Sequence, residues 1–305
     1  MTRSNIIDLK NMDLGKTIEN DSLNKYTTYK VGGKAKLIIY PDNLQKLLEL
    51  LKYIKDNDIK YFIIGNGSNL LFSSKEFDGV IIKLSNLCDV KIFDDEVYVE
   101  AGYPIIKLCM LCADNNLGNL EFASGIPATI GGAICSNAGA YKMEMSDIVV
   151  DVTVIDENLN IRTLSNSEIN FSYRDSLFKE NKDFIIISAR LKLAHKDKNE
   201  IMETINRRKE KRMETQPLEF PSAGSVFRNP ELAPSGKLIE DIGLKGYSIG
   251  GAKVSEKHAN FIINYNNATS EDIKSLMEYV QKKVKEEYNI DLIREQELIN
   301  WEWQK

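Results

Sequence analysis

Residues 121–147 read EFASGIPATIGGAICSNAGAYKMEMSD, and the rest of the chain is organised around this stretch. Gly125, Gly131, Gly132 and Gly139 punctuate it, Gly118 lies just before it, and alanine, serine and threonine fill most of the gaps. So few bulky side chains let the backbone come close to a ligand, because glycine has no Cβ to block the approach. Successive backbone N–H groups in such turns form a concave anion site suited to a pyrophosphate. An ordinary glycine-rich loop would look the same, so the run does not decide alone.

A second stretch of the same kind lies upstream, Gly65-Asn66-Gly67-Ser68-Asn69-Leu70-Leu71. It follows a strand-like run Ala35–Tyr40, a helix with the apolar stripe Leu44, Leu47, Leu48, Leu51 and Ile54, and a compact apolar strand Tyr61–Ile64. The spacing predicts a helix capped by Asp42, with Gln45 three residues on. Strand–helix–strand order predicts a parallel α/β unit, with the glycine turn at the carboxyl end of its second strand, where such sheets bind ligands. The turn is no Rossmann fingerprint: Leu70 stands where the third glycine is needed, and no helix pattern follows. It still suits phosphates wrapped by backbone N–H groups with the Ser68 and Asn69 side chains.

At 305 residues the chain has room for two domains. Forty Lys and Arg against 45 Asp and Glu give a net charge of −5, which disfavours nucleic acid as a partner. The basic run Arg207, Arg208, Lys209, Lys211 and Arg212, on a helix expected over Lys196–Glu214, lacks interleaved aromatics and reads as a solvated face. No apolar run approaches a membrane span and no apolar leader opens the chain, so the expectation is a soluble, cytoplasmic protein. Of the four cysteines, Cys109 and Cys112 form a C-x-x-C within a helix-like segment beside Ile105, Ile106 and Leu108, where burial as small hydrophobes is expected. Two histidines, His195 and His258, are too few for a His-based metal site or a Ser-His-Asp triad, and no metal is expected.

Residues 1–20 read as polar and irregular, with Gly15-Lys16-Thr17 a decoy for a phosphate loop because no strand precedes it. Hairpins are expected for Val90–Phe93 with Val97–Ala101, and for Val149–Ile155 with Asn160–Leu164. A strand follows at Phe184–Leu193. Gln216–Pro221 reads as a linker. Beyond it come a tight loop (Ser222–Pro230), a short helix (Gly236–Ile242), strands at Tyr247–Val254 and Phe261–Asn264, a helix capped near Thr269, and a final strand from Ile290 to Trp303. The fold class is α+β. The expected boundaries are 1–215, in two lobes of about 1–85 and 86–215, and 216–305.

With these stretches laid out, the chain resembles the UDP-N-acetylenolpyruvoylglucosamine reductase family from about Tyr26 to the C-terminal tail. The motifs, in family order, are T-x-Y-K-V-G-G (Thr27–Gly33), GNGSNLL (Gly65–Leu71), GIPATIGGA (Gly125–Ala133), NAGAY (Asn137–Tyr141), YRDSLF (Tyr173–Phe178), PSAGSVFRNP (Pro221–Pro230) and GGAKVSEKHANFIIN (Gly250–Asn264). The resemblance implies a two-lobed FAD-binding domain of the FAD-oxidase (PCMH/VAO-like) type plus a smaller substrate domain, in the family's shorter form. It implies non-covalent FAD, NADPH as reductant, and a monomer acting on a nucleotide sugar in peptidoglycan precursor synthesis.

By the same resemblance, FAD is held by Gly65, Asn66, Gly67, Ser68, Asn69, Leu70, Ser124, Gly125, Ile126, Thr129, Gly131, Gly132, Asn137, Ala138 and Gly139. Arg174 matches the arginine that stabilises negative charge beside the substrate carboxylate, Ser225 the proton donor, and Glu295 the C-terminal glutamate. Tyr173, Gly224, Asn229, Lys237, Lys253, His258 and Asn260 lie in the motifs implied to contact the substrate, though His258 reads equally as a satisfied core histidine. The chain departs from the family where E-V-x-x-I-G becomes Glu295-Gln296-Glu297-Leu298-Ile299-Asn300, which makes Glu297 a second candidate. Ala128 and Lys142 also stand where other residues are usual. Two rivals remain: a flavin oxidase or dehydrogenase acting on an alcohol or sugar, and a catalytically silent nucleotide-sugar-binding protein. No histidine precedes His195, which excludes a flavin linked through a histidine near the first glycine turn.

Overall fold

Thr2 caps a helix over Arg3–Asn11: its hydroxyl accepts the Asn5 N–H, while the Asn5 side chain accepts the Thr2 N–H. Ile6 and Leu9, one turn apart, form its buried face. A strand follows at Gly15–Ser22, so the N-terminal segment is regular where irregular chain was expected, and Gly15-Lys16-Thr17 is extended. This computed structural model describes residues 1–301. The chain divides into two units, one of residues 1–19, 37–66 and 78–210, the other of 20–36, 67–77 and 211–301.

The first unit carries a sheet ordered Gly15–Ser22, Lys34–Pro41, Phe77–Ile82, Tyr61–Ile63, whose strands belong to it for most of their length. Tyr61–Ile63 runs parallel to Phe77–Ile82, which lies between the two strands of the expected α/β unit. The helix Leu44–Asp56 buries Leu47, Leu50, Leu51 and Ile54. Its cap is Asn43, whose Oδ1 accepts the Lys46 N–H at 3.0 Å. Asp42, expected in that role, instead accepts from Asn86 Nδ2.

Both expected hairpins form. The strand Ile185–Lys192 pairs antiparallel with a strand of each, giving a five-stranded sheet ordered Ile161–Ser165, Val149–Ile155, Ile185–Lys192, Glu96–Glu100, Val90–Phe93. Val97 and Val99 alternate inward in the period of two that marks a half-buried strand. They share one core with Leu47, Leu108, Cys109, Cys112, Val152 and Leu191, each large apolar side chain contributing about 1.5–3 kcal/mol. The Cys109 and Cys112 thiols are thus packing groups, and burial pushes both up to about 12.

The second unit has its own core. The run expected as one strand at 247–254 folds into a hairpin, Ser248–Ile249 with Ala252–Val254, because Gly250 at φ +53° turns the chain. Ile262–Asn264 completes the three-stranded sheet. Thr269 and Asp272 form a capping box for the helix Ser270–Tyr288, which buries Ile273, Leu276, Met277, Val280 and Val284. The final strand is shorter than expected, Glu297–Ile299, and pairs parallel with Leu70–Phe72. The part of the expected strand beyond residue 301 lies outside the described residues. Among the described residues no helix is long and apolar enough to cross a membrane.

Candidate functional site

In the first unit the two glycine-bearing stretches touch. A Cβ on Gly65 would sit 2.6 Å from Thr129 Oγ1, so only glycine fits without displacement. Asn66 Nδ2 donates to Pro127 O at 3.2 Å, tying turn to loop a second time. Among the described residues, the N–H groups of Gly65, Asn66, Gly125 and Thr129 have no protein acceptor. Backbone donors without a protein acceptor bond water or a ligand, so these four are open to one.

The other expected donors on this loop are already engaged. Ile130 N–H goes to Tyr103 O and Gly131 N–H to Ala101 O, each at 2.9 Å, and Gly132 N–H goes to Thr129 Oγ1 at 3.3 Å. Gly131 serves packing, since a Cβ there would lie 3.0 Å from Ala101 Cβ. The Ser124 hydroxyl donates to Glu121 O, and Ile126 N–H to Ala123 O.

The rest of the first turn belongs to the second unit. Gly67, at φ +62°, packs where a Cβ would be 2.2 Å from Tyr26 O. The N–H groups of Gly67, Ser68 and Asn69 again lack protein acceptors among the described residues. The Asn69 side chain donates to Glu295 O at 3.1 Å while its carbonyl accepts the Glu297 N–H, and Leu70 opens the strand beside Glu297.

Arg174 adopts φ +59°, a left-handed conformation costing roughly 1–2 kcal/mol for a residue with a Cβ. Strain of this kind persists where surroundings over-determine it, and here they do. Its guanidinium donates to Gly139 O (2.5 Å) and Asn137 O (3.4 Å), its carbonyl accepts from Lys179 Nζ, and Ser172 and Asp175 exchange backbone bonds around it. A Cβ on Gly139 would meet Arg174 Nη1 at 3.0 Å. The half-exposed Tyr173 ring lies 5.3 Å from the guanidinium carbon.

Asn137 is fully buried. Its Nδ2 donates to Glu144 Oε1 and Ser172 O and its Oδ1 accepts the Ser146 N–H, so this side chain builds the loop that orients Arg174. Ala138 is buried beside it, its N–H on Ala133 O.

In the second unit Ser225 forms a bridge with Phe261, and the Ser225 hydroxyl has no protein partner among the described residues. Glu295 N–H donates to Val226 O at 2.8 Å, placing the Glu295 backbone alongside Ser225, whereas Glu297 pairs with Leu70. Between them Gln296 is buried, donating to the carbonyls of Ala223, Gly224 and Ser225 and accepting from Tyr29 Oη at 2.9 Å. Asn260 is also buried, and both ends of its amide bond the Phe227 backbone. Gly224, at φ +75°, has open space where a Cβ would be.

The remaining substrate candidates belong to the second unit, where a Cβ on Gly236 would lie 3.5 Å from His258 Cε1. Asn229 accepts the Ser235 N–H at the start of the helix Ser235–Asp241. Lys237 pairs with Asp241 on that helix's exposed side, and this bond raises its pKa. Lys253 Nζ stands 3.8 Å over the Tyr265 ring. His258 accepts the Asn260 N–H on Nδ1, and burial lowers its pKa. Sequence reasoning missed Lys83, which is 9 % exposed and donates from Nζ to Gly65 O. Its signal was a lysine inside the apolar run Val80-Ile81-Ile82-Lys83-Leu84.

Residues 35–165 match the family model for an FAD binding domain, and residues 216–299 the model for the UDP-N-acetylenolpyruvoylglucosamine reductase C-terminal domain. The UDP-N-acetylenolpyruvoylglucosamine reductase of Caldanaerobacter subterraneus subsp. tengcongensis is 46% identical over 285 residues, covering 93% of this chain and 94% of the relative. That of Bacillus subtilis is 39% identical, covering 96% and 97%. The crystal structure of the Thermus caldophilus reductase superposes with a TM-score of 0.78 at 31% identity, covering 93% of this chain and 98% of that one.

Proposed function

This chain belongs to the UDP-N-acetylenolpyruvoylglucosamine reductase family and is an FAD-containing oxidoreductase, and from that premise we propose that it reduces the enolpyruvyl group of UDP-N-acetylenolpyruvoylglucosamine with NADPH, a step of peptidoglycan precursor synthesis. The near-full-length identity to the Caldanaerobacter reductase carries this reading. FAD, when bound, supplies hydride transfer between NADPH and the substrate double bond. The residues present fit the group: the unpaired N–H groups of Gly65, Asn66, Gly125 and Thr129 suit its diphosphate, and Gly65 lacks the Cβ that would crowd Thr129.

When hydride adds to the vinyl carbon remote from the carboxylate, negative charge builds on the carbon beside it. Arg174 supplies a guanidinium, whose planar fork suits a carboxylate. Its bonds to Gly139 O and Asn137 O hold that fork in one orientation, as preorganised stabilisation of developing charge requires. The carbanion then needs a proton. The Ser225 hydroxyl, without a competing protein partner among the described residues, is the donor in this reading. Glu295 is favoured over Glu297 as the accompanying carboxyl group because its backbone pairs at Val226, next to Ser225.

Anaerobic addition of NADPH to the purified protein bleaches the flavin, and the enolpyruvyl nucleotide restores the colour. Ser225→Ala should bleach normally and recover at least ~100-fold more slowly, the lower range for a positioned acid. Recovery at the wild-type rate would remove Ser225 from the mechanism. A wild-type protein that never recovers colour with this substrate would overturn the reaction itself.

A further inference from the structure

Lys83 follows the strand Phe77–Ile82, its backbone N–H bonded to Ile39 O and its side chain buried with the ammonium on Gly65 O. An ammonium is costly to bury, and buried charges are kept paired with polar partners. Desolvation lowers its pKa to about 8, which leaves it mostly protonated at neutral pH.

The carbonyl it holds belongs to the Gly65–Asn66 peptide. In a planar trans peptide the C=O and N–H point in opposite directions. Fixing Gly65 O inward on the ammonium therefore turns the Asn66 N–H away from Lys83. That N–H has no protein acceptor among the described residues, and Asn66 is exposed. A cation on the oxygen also polarises the peptide, which makes its N–H a stronger donor.

We propose that Lys83 is a positioning residue for the FAD diphosphate, acting through the Gly65–Asn66 peptide to aim and strengthen an anion-binding N–H. Its own ammonium adds positive charge one peptide behind that donor. The inference rests on FAD binding at this turn, and it assigns the turn's donor strength to a side chain outside the glycine motif.

The test compares FAD with riboflavin, which has the same ring system and no phosphate, in titrations of the flavin-stripped protein. Lys83→Met keeps an unbranched apolar stem and removes the donor and the charge. FAD should then bind roughly 10- to 100-fold more weakly, the range of a lost charge-assisted hydrogen bond, while riboflavin affinity stays unchanged. Lys83→Gln retains a neutral donor and should lose less than Lys83→Met. It also reports if the methionine variant fails to fold. Equal losses for FAD and riboflavin would reduce Lys83 to a packing role and overturn the proposal, as would unchanged FAD affinity in both variants. A wild-type protein that binds no FAD would overturn the cofactor assignment, a result distinct from either.

Discussion

Gly65→Ala places a methyl group 2.6 Å from Thr129 Oγ1, which must retreat to at least the 3.4 Å of ordinary contact. The Gly65 φ lies outside the left-handed region, so alanine is conformationally acceptable there and the cost is steric. Thr129 Oγ1 is also the cap of Ile130–Cys135, accepting the Gly132 N–H at 3.3 Å, and moving it breaks that bond. A lost cap costs about 1 kcal/mol, and overpacking about 1–3 kcal/mol. Alanine's smaller unfolded-state entropy returns about 0.5 kcal/mol. The net loss of about 2 kcal/mol corresponds to a melting midpoint lower by roughly 4–8 °C for a unit of this size. Calorimetry of the flavin-stripped protein measures it. The control is Thr129→Ala, which removes both atoms nearer than Thr129 Cβ, itself 3.7 Å from the added methyl. In that background Gly65→Ala should cost almost nothing, a coupling of about 2 kcal/mol between neighbours. Additive effects of the two substitutions would refute the argued contact between turn and loop.

Asn260→Ala should destabilise the protein by about 2–5 kcal/mol, because it strands both the N–H and the C=O of Phe227 in the core. Chemical denaturation reads this, and NADPH-driven bleaching should stay normal while recovery slows as the Ser225 loop slackens. At pH 8 a thiol reagent should modify Cys88 quickly but leave Cys109 and Cys112 untouched until denaturant is added, since their thiols are buried and pushed up to about 12; peptide mass spectrometry identifies the labelled positions. Lys83 has a folded pKa of about 8, below its ordinary 10.5, so the unfolded chain binds its proton more tightly. Wild-type stability relative to Lys83→Met should therefore rise as pH climbs from 8 towards 10.5, and a midpoint difference flat across that window would contradict the buried ammonium.

The hairpins were legible because Val97 and Val99, or Val152 and Val154, alternate with polar neighbours, and the helix Ser270–Tyr288 because its stripe and its Thr269 cap agree. The N-terminal helix was hidden because only Ile6 and Leu9 face inward and its capping box closes on Asn5, where glutamate or glutamine is the usual signal. Asp42 and Asn43 are both good caps by composition, and only the path of the backbone separates them. At the site, glycine marked the turn and the loop that touch, but not which N–H groups lack a protein acceptor. Gly131 and Gly132 satisfy theirs internally, whereas those of Gly65 and Gly125 have no protein acceptor among the described residues. Bonds such as Asn69 to Glu295, 226 residues apart, leave no local trace in a sequence.

That last bond has a consequence for synthesis. The second unit draws on residues 20–36 and 67–77 and finishes with the strand Glu297–Ile299 beside Leu70–Phe72, so its early segments leave the ribosome more than two hundred residues before their final partner. The first unit has all its residues once Glu210 has emerged. Chains halted at residue 293 should resist protease across the first unit and remain digestible from 211 onward, the strand Glu297–Ile299 acting as the latch that makes the second unit a folded body.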